Sequence, residues 1–357
     1  MKDGRKLRCL IAAGGTAGHV LPSLAVAEAL AARGALVTFA GSPDRVEARL
    51  VPEAGYPFDS FRISGLPRRP RPALVRALGR ALAAPRACAK ILKARQPDVV
   101  LGGGGYVAGP MVYAASRRGI PTALMEADAH VGLANRLAAP FAERVFLSFP
   151  VEGKSRPKYK VTGRPIPARS RPVSRAEARR RFGLPASGPV LVVVGGSQGS
   201  RSLNELTVES FAAAGPAVLH LSGERDYDSL RGRVKRPDYV LVAFTNDFGP
   251  ALSAADLAIA RAGGSVWELA AAGRPAILVP YPFATGDHQA KNAAFFERAG
   301  GVITVLETEL GHVPDIARSL LGDPDRLTEM SEAMLRVAKP NAADEIAEEL
   351  IRLGRSW

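Results

Sequence analysis

Residues 9–19 read CLIAAGGTAGH, and residues 190–200 read VLVVVGGSQGS. Each stretch is an apolar, strand-like run that ends in a Gly-Gly turn and opens onto a helix-like segment. The turns begin at Gly14 and Gly195, 181 residues apart in a chain of 357. Because the backbone N–H groups of such a turn and of the following helix N-terminus point at one spot, each turn predicts an anion pocket. The repeat therefore indicates two α/β domains that face each other across a cleft holding a phosphate-bearing ligand.

Predicted strands and helices alternate along the rest of the chain as well. Strands are expected at 7–13, 35–40, 97–101, 121–125, 190–194, 217–221, 239–243, 257–260 and 276–279, with helices between them, the first at 23–33. Alternating strands and helices predict parallel sheets covered by helices on both faces. The polar, proline-rich segment 150–172 is expected to connect the domains. An amphipathic helix at 342–353 is expected to cross back to the first domain.

Length and composition narrow the class of protein. A chain of 357 residues favours two domains, and two cysteines give neither a disulfide framework nor metal-ligand spacing, which fits a reducing cytosol. No signal peptide is visible, and the longest apolar runs are far below the roughly 20 residues that span a bilayer. The net charge of +14 favours anionic partners, namely nucleic acid, a membrane surface or phosphorylated substrates.

Much of the positive charge lies in one stretch. Residues 60–97 contain ten Lys and Arg and no Asp or Glu. Apolar residues recur there at helical spacing, and a basic amphipathic helix of this kind binds an anionic bilayer surface. The alternative is a core-facing stripe with a solvated basic face. Nucleic acid is disfavoured, because aromatic residues make up only 6% of the chain and are not interleaved with the basic ones. The predicted membrane patch comprises Arg68, Arg69, Leu74, Val75, Leu78, Arg80 and Leu82.

The glycine loops exclude two common nucleotide sites. Neither matches G-x-G-x-x-G, and G-x-x-x-x-G-K-[ST] does not occur, so dinucleotide enzymes and P-loop NTPases are disfavoured. His19 ends the first loop just inside a helix N-terminus. The helix dipole there favours the neutral imidazole, which can act as a base. The alternative is a histidine that only hydrogen-bonds the turn.

Polar residues concentrate at 244–292. Glu268 lies near a predicted helix start, where a carboxylate offers paired acceptors for the two hydroxyls of a ribose. It could equally compensate the helix dipole. Gln289 and Asn292 are three residues apart on one helix, so both side chains can hydrogen-bond sugar hydroxyls.

An ordered set of motifs resembles the MurG family over essentially the whole chain. The motifs are GGTAGH (14–19), GGGGYVAGP (102–110), VTGRP (161–165), GGSQGSRSLNE (195–205), RAGGSVWELAAAG (261–273) and DHQAKNA (287–293). The resemblance implies the GT-B fold, with two Rossmann-like domains. Residues 1–163 and 341–357 would form the acceptor and membrane-binding domain, and 164–340 the UDP-sugar domain.

The resemblance also implies an activity and a location. The enzyme would be an inverting transferase that moves N-acetylglucosamine from UDP-N-acetylglucosamine (UDP-GlcNAc) to the 4-hydroxyl of N-acetylmuramic acid in lipid I. The product would be lipid II, for peptidoglycan synthesis and hence cell shape and division. It would be a peripheral protein of the cytoplasmic face of the cell membrane, with lipid I, an anionic membrane surface and cell-wall synthesis complexes as partners. No cofactor would be structurally required, whereas dependence on a divalent cation stays open.

The family assigns roles to particular residues. Glu268 would bind the ribose hydroxyls, 196–198 the diphosphate, 244–245 the uracil and Gln289 the donor sugar. His19 would be the general base, with Asp128 as the alternative. The donor set is Thr16, Gly18, Arg164, Gly196, Ser197, Gln198, Phe244, Thr245, Arg261, Gly263, Gly264, Ser265, Glu268, Gln289 and Asn292. The acceptor-side set is Gly14, Gly15, Gly104, Tyr106, Glu126 and Asn135.

Two stretches depart from the family pattern. Residues 125–128 read Met-Glu-Ala-Asp where His-Glu-Gln-Asn is frequent, and Pro167 stands where an arginine for phosphate is expected. Arg164 or Arg169 would replace that arginine. Two further enzymes remain as alternatives, a GT-B transferase with another lipid acceptor such as diacylglycerol, and a nucleotide-sugar 2-epimerase. A non-catalytic nucleic-acid-binding module would explain only the charge.

Overall fold

In the computed structural model, residues 5–63, 72–155, 157–196 and 198–356 are described, and for residues 72–82 the description is confined to the backbone. The chain divides into two compact units. The first consists of Met1–Pro167 with Pro340–Trp357, and the second of Ala168–Lys339.

Seven parallel strands form one sheet in the described part of the first unit. They are β1 (Arg8–Ala13), β2 (Leu36–Gly41), β3 (Phe58–Ser60), β4 (Val99–Gly104), β5 (Thr122–Glu126), β6 (Arg144–Leu147) and β7 (Tyr159–Val161). Their order in the sheet is β3-β2-β1-β4-β5-β6-β7. The helices between them are α1 (Ala17–Ala32), α2 (Glu47–Glu53), α3 (Pro72–Arg95), α4 (Ala108–Ser116) and α5 (Leu133–Ala138), and the last is followed by a 3-10 turn at Ala139–Phe141.

Strand β1 explains why helices cover both faces of this sheet. Side chains alternate along a strand. Cys9 and Ile11 therefore pack into the core that includes α1, whereas Leu10 and Ala12 pack into the core under α3 and α4. An apolar run without polar interruptions thus predicts a strand that is buried on both sides.

The second unit repeats this architecture with six parallel strands among its described residues. They are β8 (Val190–Val194), β9 (Ala217–Leu221), β10 (Tyr239–Val242), β11 (Leu257–Ala260), β12 (Ala276–Leu278) and β13 (Val302–Thr304), in the order β10-β9-β8-β11-β12-β13. The helices are α6 (Arg175–Arg181), α7 (Arg201–Phe211), α8 (Glu224–Arg231), α9 (Phe248–Ser253), α10 (Ser265–Ala271), α11 (His288–Arg298), α12 (Val313–Leu321) and α13 (Pro324–Val337). Short 3-10 segments lie at Ala168–Ser170, Thr285–Asp287 and Glu307–His312.

The last helix, α14 (Ala342–Arg355), belongs to the first unit. Ile346 and Leu350 are fully buried in the same core as α1 and β1. At the rim of this contact, Arg33 pairs with Asp344 at 2.7 Å and Arg144 with Glu349 at 2.9 Å. Apolar burial therefore fixes the helix, and the half-exposed ion pairs add little, typically about 0.2–1 kcal/mol each.

The expected connector at 150–172 contains the boundary between the two units, which falls after Pro167, but part of it is a strand. Residues Tyr159–Val161 form β7, which pairs in parallel with β6 at the edge of the first sheet. These three residues lie between segments that contain proline and lysine, and they are too few to show the apolar run that predicts a strand. Pairing with β6 makes them a strand, and that partner is not visible in the local sequence.

The structure also corrects the start of the first helix. Helix α1 begins at Ala17 rather than at residue 23, so that Pro22 lies inside it. Proline has no N–H, and the carbonyl of Gly18 therefore lacks its helical donor. Arg164 supplies the missing bond, since its Nη2 donates to the Gly18 carbonyl at 2.6 Å. A side chain 146 residues away thus compensates for the proline.

Candidate active site

The two glycine loops and the turn before Glu268 lie where the strand order of each sheet reverses, whereas other predicted site residues follow the neighbouring strands β5, β10 and β12. The reversal falls between β1 and β4 in the first unit and between β8 and β11 in the second. In open α/β sheets, ligands bind beyond the carboxyl ends of the strands at such a point. The loops there carry residues 14–19 and 104–107 in the first unit, and 195–200 and 261–268 in the second.

Glycines let the two loops of the first unit approach each other closely. The Gly14 N–H donates to the Gly104 carbonyl at 3.3 Å. A Cβ at Gly105 would lie 2.1 Å from the Gly14 carbonyl oxygen, and one at Gly104 would lie 2.5 Å from His19 Cδ2. Glycine at both positions therefore allows residues 14–19 to pack against residues 104–105, and Tyr106, which follows them, is exposed.

The first loop differs from an open anion pocket. The N–H of Gly15 donates to Glu47 Oε2 at 2.9 Å, and Glu47 is 0% exposed. This corrects the expectation that the Gly15 amide is aimed at a bound phosphate, because a carboxylate of the chain already accepts from it. Sequence reasoning missed Glu47, which lies 32 residues away.

His19 and Arg164 are tied to the same loop. His19 Nδ1 lies 3.3 Å from the Thr16 hydroxyl oxygen. Arg164 is 8% exposed, and besides Gly18 it contacts the Ala127 carbonyl, with Nη1 at 3.4 Å. Thr16, Gly18 and Arg164 were predicted to bind the donor, and all three lie in the first unit. Their contact with the donor stays a prediction.

Glu126 and Asn135 form a buried pair at the end of β5. Asn135 Nδ2 donates to Glu126 Oε2 at 2.9 Å and to the Met125 carbonyl at 3.1 Å. The same carboxylate accepts from the backbone N–H groups of Ala127 and Gly132 at 3.0 and 2.9 Å. Burial raises the pKa of Glu126, while these hydrogen bonds oppose the rise. Both side chains therefore shape the loop that carries Asp128.

A depression of about 260 Å³ opens beside the first loop. The side chain of Arg45 is exposed there, and among the described residues it has no hydrogen-bond or ion-pair partner. The motif pattern did not single out Arg45. The lining residues are Gly15, Ser42, Arg45, Glu47, Ile63, Tyr106 and Val107.

The glycine loop of the second unit, residues 195–200, is held by a hydrogen bond within its own backbone. The Gly199 N–H donates to the Gly196 carbonyl at 2.9 Å, and Gly196 and Gln198 are exposed. A Cβ at Gly199 would lie 2.1 Å from the Ser222 carbonyl oxygen, so this glycine is required by packing. Ser197, predicted at the diphosphate, lies outside the described residues.

Arg261 is the centre of a polar cluster under this loop. It is 7% exposed and forms an ion pair with Glu307. Its Nη2 donates to the Ser200 and Ser202 hydroxyls at 2.8 and 2.9 Å, and its Nη1 to the Val279 carbonyl at 3.1 Å. The Arg261 pair lowers the pKa of Glu307. The guanidinium thus connects the ends of β11 and β12 with the start of α7, so Arg261 positions the loop at 195–200. Its predicted contact with the sugar-nucleotide donor stays a prediction.

Glu268 and its neighbours follow β11. Gly263, Gly264 and Ser265 are half-buried and lead into α10, in which Glu268 occupies the first turn, close to the predicted helix start. Asn292 is 1% exposed, and its Nδ2 donates to the Ala262 carbonyl at 3.1 Å. Asn292 therefore holds the turn from behind, whereas Gln289 is half-buried and accepts from the Tyr281 N–H at 2.9 Å.

Aromatic side chains are exposed at the same edge of the second sheet. Phe244, predicted at the uracil, follows β10 and is 57% exposed. The Thr245 hydroxyl accepts from the Asp247 N–H at 3.0 Å. Tyr281 and Phe283, which sequence reasoning did not single out, are also exposed, with ring centroids 5.6 Å apart. These rings offer stacking surfaces for a planar base.

The predicted membrane patch falls largely outside the described residues. This holds for Arg68 and Arg69, and for the side chains of Leu74, Val75, Leu78, Arg80 and Leu82, whose backbone is helical in α3. A different apolar surface is exposed on α4, α5 and the 3-10 turn, formed by Tyr113, Leu133, Leu137 and Phe141. Tyr113 and Phe141 stack edge to face at 5.0 Å.

Neither a membrane-spanning helix nor a metal cluster occurs in the described ranges. No helix there has the length and apolar character needed to traverse a bilayer. No three His, Cys, Asp or Glu side chains gather there as metal ligands would. The expectations about cofactors and divalent cations stay predictions.

Comparisons with known proteins show which family the sequence matches. Residues 9–147 match the glycosyltransferase family 28 N-terminal domain, and residues 190–349 match its C-terminal domain. The UDP-N-acetylglucosamine–N-acetylmuramyl-(pentapeptide) pyrophosphoryl-undecaprenol N-acetylglucosamine transferase of Acidithiobacillus ferrooxidans is 42% identical, with 95% of each chain covered. The protein of that name from Halothermothrix orenii is 36% identical, with 94% of this chain and 95% of the relative covered.

Solved structures agree with these relatives. The crystal structure of Acinetobacter baumannii MurG superposes with a TM-score of 0.78 at 29% identity and covers 98% of this chain and 100% of that one. The calicheamicin glycosyltransferase CalG4 has a TM-score of 0.71 at 18% identity, covers 98% of this chain and 99% of its own, and shows the fold alone.

Two parallel sheets of this topology, together with the family matches and the MurG structure, define a glycosyltransferase of the GT-B fold class. The predicted fold class and enzyme class are confirmed. The chain belongs to glycosyltransferase family 28, and within it to the MurG family, which confirms the resemblance inferred from the motifs.

Proposed function

We propose that this enzyme transfers N-acetylglucosamine from UDP-GlcNAc to the 4-hydroxyl of N-acetylmuramic acid in lipid I, giving lipid II. The observation that carries the proposal is the full-length relationship, since transferases named for this reaction align over 94–95% of the chain at 36–42% identity. Substrate assignments transfer far better across such a relationship than across a shared fold.

The donor binds in the second unit. UDP-GlcNAc places its diphosphate at residues 196–198, where the turn and the start of α7 present N–H groups. Glu268, in the first turn of α10, accepts the ribose hydroxyls, and Phe244 stacks on the uracil. The Nε2 of Gln289 reads sugar hydroxyls, because it makes no hydrogen bond among the described residues while its Oε1 is occupied by Tyr281. The cluster around Arg261 keeps the loop in place.

The acceptor binds in the first unit, and His19 is the general base. The 4-hydroxyl oxygen forms a bond to the anomeric carbon while the bond from that carbon to the diphosphate oxygen breaks. The proton passes to the imidazole, and UDP leaves with the electron pair. His19 lies in the first turn of a sixteen-residue helix, whose dipole disfavours the imidazolium. Asp128, on the loop shaped by Glu126, is the alternative base.

The enzyme works as a peripheral protein at the cytoplasmic face of the membrane, where its lipid-linked acceptor is embedded. Support comes from the acid-free segment 60–97 and from the exposed surface of Tyr113, Leu133, Leu137 and Phe141. Arg117, Arg118 and Arg136 lie on or beside the same elements and supply positive charge. Apolar side chains ringed by arginine bind an anionic lipid surface.

One experiment tests the reaction. The purified enzyme is incubated with radiolabelled UDP-GlcNAc and with lipid I, with diacylglycerol or with no acceptor. Transfer to lipid I alone supports the proposal, transfer to diacylglycerol replaces it, and conversion of the sugar without an acceptor indicates epimerase activity. Epimerases share this fold at only 15% identity, so the fold does not discriminate between the two activities.

A second experiment tests the membrane surface. Replacing both Leu133 and Leu137 with Ser is expected to weaken sedimentation with vesicles containing anionic phosphatidylglycerol. Replacing the exposed Leu306 and Leu335 of the second unit with Ser is the matched control. Equal sedimentation of the two variants would contradict a role for the α4–α5 surface.

A further inference from the structure

The first glycine loop is supported by one buried side chain, Glu47, the first residue of α2. Glu47 is 0% exposed. Its Oε2 accepts from the Gly15 N–H at 2.9 Å, and its Oε1 accepts from the Ser42 N–H at 3.0 Å. Because β1 and β2 are neighbours, this carboxylate connects the carboxyl ends of two adjacent strands.

Two glycines leave room for this carboxylate. A Cβ at Gly14 would lie 2.1 Å from Glu47 Oε1, and a Cβ at Gly41 would lie 2.7 Å from Glu47 Cγ. Neither distance is sterically possible. Gly14 and Gly41 both have negative φ angles, since neither is among the residues with positive φ. Glycine is therefore required at position 14 by the side chain of Glu47, and at position 41 by Glu47 together with the Phe58 ring, rather than by an unusual backbone conformation.

The carboxyl group of Glu47 is held by the backbone donors of Gly15 and Ser42. Among the described residues, no Lys, Arg or His forms an ion pair with it. Hydrogen bonds from N–H groups to a carboxylate are about twice as strong as those between neutral groups. The carboxylate thus accepts the Gly15 N–H that would otherwise be available to a bound anion.

We propose that Glu47 is a positioning residue for glycosyl transfer, whose buried carboxyl group fixes the first glycine loop through its backbone hydrogen bonds. The inference rests on the proposed function, because it takes His19 and this loop to serve the acceptor. Glu47 holds residues 14–15 from one side while Gly104 and Gly105 contact them from the other, and His19 lies against Gly104. A shift of the loop therefore moves the imidazole.

The first test is Glu47→Gln, measured with lipid I and UDP-GlcNAc. Glutamine keeps one acceptor oxygen and places an amide group opposite the second N–H donor. We expect kcat to fall about 10–100-fold, the cost of a displacement near 1 Å at a reacting group. The KM for UDP-GlcNAc should change less than kcat, since the proposed uracil, ribose and diphosphate contacts lie in the other unit. The matched control is Glu53→Gln at the exposed end of the same helix, with no change expected.

A pair of variants tests the contact with Gly14. Gly14→Ala should lower kcat, because the new methyl group displaces the Glu47 carboxylate. In a Glu47→Ala background the methyl group has room, so adding Gly14→Ala should cause no further loss. Unchanged kcat in Glu47→Gln, or equal loss of kcat and donor affinity, would overturn the proposal, as would additive effects of the Gly14 and Glu47 substitutions.

Hydrogen exchange on the wild-type enzyme keeps the proposal testable if the variants do not fold. We expect the Gly15 amide to be protected in the free enzyme and to stay so when lipid I is added. If the Gly15 amide exchanges rapidly and is protected only when lipid I is bound, its hydrogen-bond acceptor is the ligand and not Glu47, which would refute the proposed role of Glu47. If the wild type fails to use lipid I, the proposed function falls, whereas the exchange result still reports on the Glu47 contact.

Discussion

The compensation of Pro22 by Arg164 gives a sharp test of how α1 is held. Pro22 cannot donate to the Gly18 carbonyl, and Arg164 Nη2 donates to it at 2.6 Å. Arg164→Ala removes this charge-assisted bond from a side chain that is 8% exposed. Such a bond contributes about 1.5–3 kcal/mol, so we expect the free energy of unfolding of the first unit to fall by that amount.

The partner variant is Pro22→Ala, which restores the backbone donor. In this background the Gly18 carbonyl keeps a helical hydrogen bond when Arg164 is removed. A backbone hydrogen bond contributes about 0.5–1.5 kcal/mol net, so the loss caused by Arg164→Ala should be smaller by about 1 kcal/mol. Because α1 also carries His19, Pro22→Ala should restore part of the kcat that Arg164→Ala removes.

The measurement is urea-dependent hydrogen exchange of peptides from α1, which reports the stability of this unit separately from the other. Arg169→Ala is the control, since Arg169 is exposed and its removal should change stability by less than about 0.5 kcal/mol. A coupling below about 0.3 kcal/mol in the double-mutant cycle would refute the reasoning, since that is the scatter expected for independent sites.

Four further outcomes are expected. Arg261→Ala should destabilise the second unit by about 1.5–3 kcal/mol, because it removes the buried guanidinium that bonds the part-exposed Glu307 and two serine hydroxyls. The measurement is the fluorescence of buried Trp267 in a Trp357→Phe background. Loss of the half-exposed Arg326, paired with Glu329, is the control and should cost under about 1 kcal/mol. Burial lowers the pKa of His220 to about 3 from an ordinary 6.5. Between these pH values the unfolded chain binds a proton that the folded chain does not, so the free energy of unfolding decreases as the pH falls. Urea titrations from pH 7 to pH 4 should therefore show a steeper loss in the wild type than in His220→Gln, and parallel curves would contradict this. Glu268→Gln should raise the KM for UDP-GlcNAc about 10–100-fold with a smaller effect on kcat, and unchanged UDP affinity by calorimetry would remove Glu268 from the ribose. His19→Ala should lower kcat about 10²–10⁴-fold with UDP affinity intact, and a larger loss in Asp128→Asn would transfer the base role to Asp128.

Much of the fold could be predicted because the decisive strands are buried on both faces. The expected strands at 190–194, 217–221 and 257–260 coincide with β8, β9 and β11. Such strands consist of uninterrupted apolar runs, which the sequence displays directly. The motifs at 14–19 and 195–205 could be located for the same reason, since each follows one of these runs.

Prediction failed where a partner distant in sequence decides the structure. The three residues of β7 form a strand because they pair with β6. Helix α1 continues past Pro22, where Arg164 supplies the hydrogen bond that the proline cannot make. The window of sequence around either element contains no sign of its partner. Local propensity is a weak guide when tertiary contacts supply the missing hydrogen bonds.

The sequence by itself determined the two-unit α/β fold, the positions of the glycine loops and the family. Periodicity and glycine turns are local properties of the chain, and the ordered motifs are visible without coordinates. The tertiary structure decided what each loop does with its N–H groups. It brought Glu47 beneath Gly15 and joined Arg261 to Glu307 beneath the second loop, over separations of 32 and 46 residues. A hydrogen bond depends on positions in space, and only folding brings such distant carboxylates to their donors.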